Sequence, residues 1–432
     1  MTSFRTVVPK HHYMIEVYKF GGASSKDAEG IKNIAHILSL KQELQLLIVV
    51  SAIGKTTNAL EELLHAYVDG KENTMDILEA IKAYHEKIID DLFEDKSHPI
   101  YDDVANAFVE IEWILEEEPY DSYDYLYDQI VSVGELVSSK IVSHYLNSCG
   151  LTNQWIDARS YIQTDNTYRR GKVDWEKTSG RIREQLIPIL EKQYIVTQGF
   201  IGGTSENFST TLGREGSDYS AAIFATGLGA QAVTIWKDVP GVLNADPKLF
   251  SNTKKYEELS YREAIEMTYY GATVIHPKTI KPLQNNHIPL YVKPFDAPEE
   301  SGTCITDTDV KITEPAVIIK NNQTLISLTT KDLSFITEEH ISIIYKSFAD
   351  FSIKMNVVQV SATSLSGCVD SDQRTFSRLI NLLEQNFIVK YNEGLQLVTM
   401  RHYDRDLLNE FTKGRTIMLE QSSRVTAQVV MK

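Results

Sequence analysis

The sequence predicts an α/β region built on a mainly parallel sheet, followed by a smaller α+β region. Apolar runs at residues 14–20, 44–52 and 194–200 alternate with helically periodic segments, as expected for parallel strands covered by helices. Residues 296–315 contain prolines and a glycine, and their apolar residues show no helical or strand-like periodicity. This composition is typical of a connection between domains. Beyond this connection the strand-like and helix-like segments become shorter, so a second and different fold begins there.

Composition limits the classes of function. The chain has 432 residues, of which 42% are hydrophobic, and this is enough for two or three packed domains. A formal net charge of −16 argues against nucleic acid and anionic membranes as partners, because both require a basic face. The three cysteines lie far apart, which favours a reducing compartment and no structural metal. We therefore expect a cytoplasmic protein without a nucleic-acid or membrane partner.

The first elements form a strand–helix–strand unit. Residues 14–20 read as a strand that ends at a Gly-Gly pair, and an amphipathic helix is expected from Ser24 or Ser25. The next run, residues 44–52, is almost entirely apolar, as a strand buried on both faces should be. This order of elements predicts parallel pairing of the two strands.

A long helical insertion separates these strands from the rest of the sheet. Residues 57–147 are rich in charge, nearly free of glycine and helically periodic, which predicts several helices that form an insertion or lid. The α/β alternation then resumes. The predicted strands are 153–158, 194–200, 232–238 and 288–295, and the predicted helices lie at 175–191, from Ser217 and from Ser260.

The region after the connection has the element order of a ferredoxin-like domain. Strand, helix, two strands, helix and strand are predicted at 324–330, 335–347, 353–362, 364–370, 373–385 and 387–391. A shorter series follows, with a helix at 404–411 and three strand-like runs. We expect residues 316–432 to hold one full small domain and an abbreviated copy that lacks its last helix.

Two glycine-containing motifs follow the first two strands. Lys19, Gly21 and Gly22 place a lysine and bare backbone amides beside the start of a helix, which describes a phosphate-binding site, although a plain turn has the same composition. The motif VVSAIGKTTN, residues 49–58, ends in Gly-Lys-Thr after an apolar run. It lacks the first glycine of a P-loop, since Val49 stands in that place, and a Walker-type nucleotide site is therefore excluded.

The segment 197–222 carries the most informative pattern. A strand runs into glycines, and GREGSD (213–218) follows at the mouth of a helix. An aspartate in the first turn, Asp218, is favourable for the helix dipole, and this alone would explain it. Arginine, serine and aspartate together at a helix mouth also describe a site for an anion with a metal or ammonium partner. We favour this functional interpretation.

Three further stretches are ambiguous. WKDVPGVLNADPK (236–248) leaves a strand end, where ligands bind in open α/β sheets, but a solvated loop would look similar. Gly134-Glu135 reads as the start of a helix whose first-turn acid balances the dipole. His276 precedes a proline and reads as a residue at the start of a helix rather than as a base or metal ligand. We expect no protein-bound metal, because no histidine, cysteine and carboxylate cluster has metal-ligand spacing.

Taken in order, these stretches resemble the aspartokinases, a family of the amino-acid kinase superfamily. The matching motifs are KFGG (19–22), VVSAIGKTTN (49–58), GELVSSK (134–140), WIDAR (155–159), TQGFIGG (197–203), TTLGREGSDYSAA (210–222), WKDVPGV (236–242), ADPK (245–248) and GATVIHPKTIKP (271–282). The tail resembles a pair of ACT regulatory modules. The resemblance implies an amino-acid-kinase-like three-layer catalytic domain over residues 14–305 and an ACT regulatory region over 316–432.

The resemblance also implies a set of site residues. The matching substrate residues are Ser51 and Thr57, Glu135 for an ammonium group, Arg214 and Ser217 for carboxylates, and Glu215 and Gly216 between these two. The matching nucleotide residues are Lys19, Gly21, Gly22, Ser24, Lys237, Asp238, Leu243, Lys248 and Thr273. Lys19 and Asp218 form the expected catalytic pair. Lys19 meets the transferring phosphoryl group, and Asp218 holds Lys19 or the substrate ammonium in place.

The implied reaction transfers a phosphoryl group from ATP to the side-chain carboxylate of L-aspartate. A carboxyl group with a pKa of about 3.9 is ionised at neutral pH, so no general base is required. The barrier is repulsion between two anions, and it is lowered by in-line positioning and by neutralisation with Mg²⁺ and a lysine. The expected cofactors are ATP and Mg²⁺.

Two departures from the family pattern leave other functions open. Glu215 stands where the family commonly has glycine, and Thr273 stands where many members have lysine, with Lys278 or Lys281 as candidate replacements. The alternatives are a catalytically weak amino-acid sensor and a kinase for another amino acid such as glutamate. The ACT resemblance further implies an amino-acid effector and a homodimer or larger homo-oligomer joined through residues 316–432.

Overall fold

The computed structural model describes residues 14–40, 45–272, 275–370 and 373–432, with the backbone alone at 373 and 374. These residues form two compact units. The first unit contains residues 14–40, 45–242, 256–265 and 275–309, and the second contains 243–255, 266–272, 310–370 and 373–432. The chain therefore contributes two short segments to the second unit before it enters that unit for the last time at residue 310.

The first unit is built on a mixed sheet of eight strands. In chain order the strands are β1 (Ile15–Phe20), β2 (Gln45–Val50), β3 (Asn153–Trp155), β4 (Tyr194–Gln198), β5 (Ile201–Gly203), β6 (Ser209–Thr211), β7 (Ala232–Lys237), β8 (Glu258–Ser260), β9 (Leu290–Pro294) and β10 (Thr303–Thr306). The sheet order is β3-β4-β2-β1-β7-β9-β10-β8, and β5 and β6 form a separate hairpin. All neighbours in the sheet are parallel except β9 and β10, which confirms the predicted, mainly parallel α/β fold.

Helices cover both faces of this sheet. The helices up to residue 285 are α1 (Ala28–Ser39), α2 (Thr56–Val68), α3 (Thr74–Leu92), α4 (Ile100–Leu115), α5 (Tyr123–Ser148), α6 (Trp175–Leu190), α7 (Gly216–Leu228), α8 (Tyr261–Tyr270) and α9 (Pro277–Asn285). Residues 261–265 of α8 belong to the first unit and residues 266–270 to the second. Tyr18 of β1 and Ile48 of β2 share one apolar core with α1–α5, which include the predicted insertion. The other face packs against α6 and α7, so the three predicted layers are present. In the described ranges no helix is long and apolar enough to cross a bilayer.

The first helix begins later than the sequence predicts. Asp27 is its N-cap, and the Asp27 carboxylate accepts a first-turn amide hydrogen bond of 2.9 Å, so α1 starts at Ala28. Ser24 and Ser25 instead form a turn in which their N–H groups donate to the Gly21 carbonyl. The prediction was wrong because serine and aspartate are equally good N-caps. The amides of Gly21 and its neighbours therefore belong to a turn and not to the end of a helix.

Glu135 lies in the middle of α5 and not at the start of a helix. This helix begins at Tyr123, with Ser122 as its N-cap. It has 26 residues and is buried on nearly every side along its second half, so no single apolar stripe marks its beginning. Glu135 cannot balance the helix dipole from this position, and the first-turn explanation is wrong.

The second unit is built on a six-stranded antiparallel sheet. Its strands are β11 (Ala316–Thr330), β12 (Met355–Val360), β13 (Ser364–Asp370), β14 (Phe387–Arg401), β15 (Ile417–Ser422) and β16 (Thr426–Met431), in the order β12-β13-β11-β14-β16-β15. Its helices are α10 (Glu338–Asp350), α11 (Gln373–Leu383) and α12 (Arg405–Thr412). The order β12-β13-β11-β14 is that of a ferredoxin-like domain, as predicted.

Two long strands run through both halves of this sheet. β11 and β14 each have 15 residues and extend through both halves. Residues 316–320 of β11 pair with 397–401 of β14, so the start of β11 lies in the same half of the sheet as β16 and β15.

Candidate active site

A cleft of about 330 Å³ opens at the carboxyl ends of β1, β2 and β7, where ligands bind in open α/β sheets. It is lined by Lys19, Gly22, Ala23, Ser51, Ala52, Gly54, Thr57, Glu135, Phe200, Glu215, Gly216, Ser217, Asp218 and Lys237. Ten of these are predicted site residues. They come from distant parts of the chain and lie wholly within the first unit.

One buried carboxylate in the cleft holds two lysines. Asp218 Oδ1 lies 2.7 Å from Lys19 Nζ, and Asp218 Oδ2 lies 3.5 Å from Lys237 Nζ. The three side chains come from the first turn of α7 and from the ends of β1 and β7, which are neighbours in the sheet. Burial alone would raise the pKa of Asp218, but the two ammonium groups hold the pKa below its ordinary value. Asp218 is therefore ionised and fixes the position of the Lys19 ammonium group.

Glu135 is the second buried acid of the cleft. Its side chain is 3% exposed, and its carboxyl group accepts a hydrogen bond of 2.8 Å from the Ala52 N–H. Burial raises the pKa of Glu135 to about 8, although the Ala52 N–H and the charge of Lys19 act in the opposite direction. Glu135 is therefore mostly protonated at neutral pH. A cation placed beside it would return it to the ionised form.

The loops after β1 and β2 meet in direct backbone contact. The Gly54 N–H donates to the Gly22 carbonyl at 2.9 Å. A Cβ atom on Gly22 would lie 2.4 Å from the Ala52 carbonyl oxygen, closer than side-chain atoms can approach. Glycine is thus required at this position, and the close approach brings Ser51 and Thr57 to the same cleft as the end of β1.

Helix α7 begins at the cleft without a side-chain cap. Its N-cap residue Glu215 has φ = 54° and ψ = 32°, a left-handed conformation that costs a non-glycine residue about 1 kcal/mol. Gly216 and Ser217 follow and line the cleft. No side chain in the described part of the chain caps the first-turn amides, and the helix dipole favours an anion beside them.

Glu215 also presents a carboxylate to the cleft. Its Oε2 atom is buried and has no hydrogen-bond partner among the described residues. A buried carboxylate oxygen without a partner costs free energy unless a ligand supplies one. Position 215 thus carries both a left-handed backbone conformation and a buried carboxylate oxygen in this chain.

The other predicted site residues do not line the cleft. Gly21 and Ser24 lie in the turn after β1, and Leu243 and Lys248 belong to the second unit. Arg214 is exposed in the turn before α7, and Asp238 is exposed after β7. Thr273 lies outside the described residues. Their roles stay predictions from the family resemblance.

Four residues that line the cleft were not predicted. Three have small side chains and border predicted residues: Ala23 follows the KFGG motif, and Ala52 and Gly54 lie within VVSAIGKTTN. The fourth, Phe200, packs so closely on the start of α7 that a Cβ on Gly216 would lie 2.5 Å from its ring. The available signal was their place inside the motifs, because nothing in their chemistry distinguishes them.

His276 has the structural role that the sequence predicts. Its ring Nδ1 accepts a hydrogen bond of 3.1 Å from the Lys278 N–H, and His276 is the N-cap of α9. Within the described ranges no cluster of three or more histidine, cysteine or acidic residues could hold a metal ion.

The fold and the cleft together define a kinase that acts on small molecules. The model of the amino acid kinase family matches residues 14–294, the part of the chain that forms the sheet, its helices and the cleft. The class of the protein is therefore the amino acid kinases.

Similar proteins narrow this class. Lysine-sensitive aspartokinase 3 of Escherichia coli (strain K12) is 30% identical over 397 residues, which are 89% of this chain and 86% of the relative. Aspartokinase 1, chloroplastic, of Arabidopsis thaliana is 31% identical over 409 residues, 89% of this chain and 68% of the relative. The crystal structure of E. coli aspartokinase III in complex with aspartate and ADP has a TM-score of 0.82 and 27% identity, and the match covers 96% of both chains. The chain belongs to the aspartokinases.

Proposed function

We propose that this protein phosphorylates the side-chain carboxylate of L-aspartate with ATP and forms 4-phospho-L-aspartate, the first step towards lysine, threonine and methionine. Family membership supports this assignment, and so does the E. coli relative, which was solved with aspartate and ADP. The observation that carries the proposal is the content of one cleft: a lysine fixed by a buried aspartate and a neutral buried glutamate. A degenerate sensor would have no need for this costly arrangement of buried charge.

The cleft offers a complementary group to each part of L-aspartate. Glu135 meets the ammonium group and ionises when that charge arrives, because a nearby cation lowers the pKa of a buried carboxyl group. The hydroxyl groups of Ser51 and Thr57, which line the cleft, donate to a carboxylate. The first-turn amides of Gly216 and Ser217 provide the second anion position at the start of α7.

Phosphoryl transfer requires charge neutralisation more than proton transfer. The attacking carboxylate is already ionised, so no base is needed. Lys19 and Lys237 lie on either side of Asp218 and supply positive charge to the transferring phosphoryl group and to the nucleotide phosphates. Asp218 does not touch the reacting atoms in this scheme. It positions the two ammonium groups and prevents them from pairing with the substrate carboxylate.

The donor set of the cleft fits a Mg²⁺ ion that arrives on nucleotide phosphates. Such an ion keeps several waters and takes only one or two protein carboxylates. Glu215 provides a buried carboxylate oxygen without a partner among the described residues, and we assign this oxygen to the ion or to one of its waters. When bound, Mg²⁺ neutralises the charge that develops on the phosphate oxygens.

Regulation and assembly form a second part of the proposal. The E. coli relative is lysine-sensitive and has been solved with lysine and aspartate, and we propose an amino-acid effector for the second unit. We also propose a cytoplasmic homo-oligomer that is joined through this unit. Its sheet ends in the edge strand β12, where Val360 is 49% exposed, and open strand edges with apolar side chains favour pairing.

The oligomer can be tested with one substitution and a matched control. Val360→Asp places a charge on the edge strand and should lower the mass measured by light scattering to that of a smaller species. Val310→Asp changes an equally exposed valine, 48% exposed and outside the sheet, and should leave the mass unchanged. Equal masses for both variants and the parent protein would contradict assembly through β12.

The activity itself is tested by ADP formation. The purified protein is incubated with Mg-ATP and either L-aspartate or L-glutamate, with and without L-lysine. We expect ADP release that depends on aspartate. If ADP is released faster with glutamate, glutamate and not aspartate is the substrate. If ADP release depends on neither amino acid, the kinase assignment is refuted.

A further inference from the structure

A second cavity of about 490 Å³ lies in the first unit and shares no residue with the active-site cleft. It is enclosed by the loop before α6, by the first turn of α6 and by one side each of α7 and α9. Its volume falls in the range of cavities that hold small ligands. The residues of this cavity that carry chemistry are Arg170, Lys172, Trp175, Tyr219, Lys278 and Lys281.

Positive charge is concentrated in this cavity. Arg170 and Lys172 come from the loop, and Lys278 and Lys281 lie three residues apart on one face of α9. None of the four side chains makes an ion pair within the described ranges of the chain. The charge of Lys172 is felt by the nearby Asp165 carboxylate. Even so, four cations around one cavity in a protein with a net charge of −16 make this cavity a focus for anions.

An aromatic pair forms one wall of the cavity. The rings of Trp175 and Tyr219 have their centroids 6.3 Å apart, in an edge-to-face arrangement with an interplanar angle of 68°. Trp175 is 37% exposed although it begins a helix and has an aromatic partner. An exposed indole beside several cations is suited to stacking on a flat ring that carries phosphate.

We propose that this cavity binds a mononucleotide, with the phosphate held by the cations and the base stacked on Trp175. Lys278 and Lys281, which sequence comparison with the family offers as replacements for a nucleotide-site lysine, line this cavity instead. The proposed site shares no lining residue with the active-site cleft.

The cavity has a direct contact with the turn that leads into the active-site cleft. A Cβ placed on Gly213 would lie 3.7 Å from Arg170 Cγ and 3.8 Å from Lys278 Nζ. Gly213 itself has φ = 81°, and Glu215 and Gly216 follow in the lining of the cleft. A ligand that draws Arg170 and Lys278 into the cavity therefore acts on the start of α7, and nucleotide binding should change the KM for the amino-acid substrate.

Calorimetric titration of the full-length protein tests the site without relying on catalysis. The probes are AMP, GMP and ribose 5-phosphate, the last of which has the phosphate but no ring. The double variant Lys278→Gln/Lys281→Gln removes two exposed charges, and Lys71→Gln/Lys96→Gln removes two exposed charges elsewhere. We expect at least one of the two mononucleotides to bind, and its affinity to fall by about tenfold in the first double variant only.

Three results would overturn the proposal. They are the absence of heat with both nucleotides, an equal loss of affinity in the two double variants, and equal affinity for ribose 5-phosphate and the bound nucleotide. The variant Trp175→Leu separates the two halves of the site, because loss of stacking should weaken the nucleotide and leave ribose 5-phosphate unchanged. These outcomes are independent of the kinase assay, so failure here leaves the proposed activity untouched.

Discussion

Replacement of Glu135 by glutamine should change stability and substrate binding in opposite directions. Burial raises the pKa of Glu135 from its ordinary value of 4.5 to about 8. Between these two pH values the folded chain holds a proton that the unfolded chain has lost, so the free energy of unfolding falls as pH rises. At about 1.4 kcal/mol for each pH unit, ionising the buried group costs about 5 kcal/mol in full above pH 8. Glutamine keeps the acceptor for the Ala52 N–H and removes this cost.

The difference in unfolding free energy between Glu135→Gln and the parent protein should grow with pH. Urea denaturation of the parent protein and of Glu135→Gln at pH 6 and pH 9 should show the gap in unfolding free energy widening by about 3 kcal/mol in favour of the variant. Glu86→Gln, an exposed acid of the insertion, is the control and should follow the parent protein at both pH values. Parallel pH profiles for the parent and Glu135→Gln would refute the buried, protonated state of Glu135.

The kinetic result should have the opposite sign. A hydrogen bond to a charged group contributes about 1.5–3 kcal/mol, so the KM for L-aspartate should rise by about 10- to 100-fold in Glu135→Gln, with the KM for ATP almost unchanged. In the parent protein this KM should improve as the pH rises towards 8, because the ionised carboxylate binds the ammonium group. If the variant keeps the KM of the parent protein for L-aspartate, Glu135 does not bind the substrate.

Three further predictions concern the other cleft residues. Lys19→Met should lower kcat by about 10²- to 10³-fold in the ADP assay. Adding Asp218→Asn should restore part of the lost unfolding stability without restoring activity, because it removes the buried carboxylate that has lost Lys19, although Lys237 then loses its contact with Asp218. Recovery of activity in the double variant would contradict the role of Lys19. Glu215→Gly should stabilise the ligand-free protein by about 1 kcal/mol and raise the Mg²⁺ concentration required for half-maximal rate. Glu215→Gln should raise this Mg²⁺ concentration without the gain in stability. If neither variant changes the Mg²⁺ dependence, Glu215 does not contact the ion. Gly22→Ala should abolish activity and lower the thermal midpoint of unfolding. Gly180→Ala is the control, because a Cβ there meets nothing within 4 Å, and it should stabilise α6 by about 0.5–1 kcal/mol. Similar behaviour of the two variants would contradict the close contact between Gly22 and the Ala52 carbonyl.

The order of elements and most of the cleft could be predicted because local signals and the fold agree. Lys19, Ser51 and Lys237 each lie at or directly after the end of an apolar strand, and parallel strands bring such ends to one edge of the sheet. Asp218 lies in the first turn of a helix that begins at the same edge. These positions follow from the periodicity of apolar residues and from the order of the strands and helices, and both can be read from a single sequence.

The features that could not be predicted depend on tertiary contacts. The start of α1 was decided between serine and aspartate caps of similar strength, and the burial of Glu135 depends on packing around all sides of α5. The prediction starts the first strand of the second region at residue 324, whereas β11 begins at Ala316. Residues 316–320 pair with a strand about 80 residues further along the chain, and local sequence does not reveal such a distant partner. Leu243 and Lys248 follow a strand of the first unit but belong to the second, which no local pattern indicates.

Trapping of the reaction product tests the central claim most directly. The protein is incubated with Mg-ATP, hydroxylamine and either L-aspartate or L-glutamate, so that an acyl phosphate is captured as its hydroxamate. The cleft described above predicts hydroxamate from aspartate alone, and its loss in Lys19→Met and Lys19→Met/Asp218→Asn. A folded parent protein that forms no hydroxamate from aspartate, or the persistence of product in these variants, would contradict the assignment of this cleft to phosphoryl transfer.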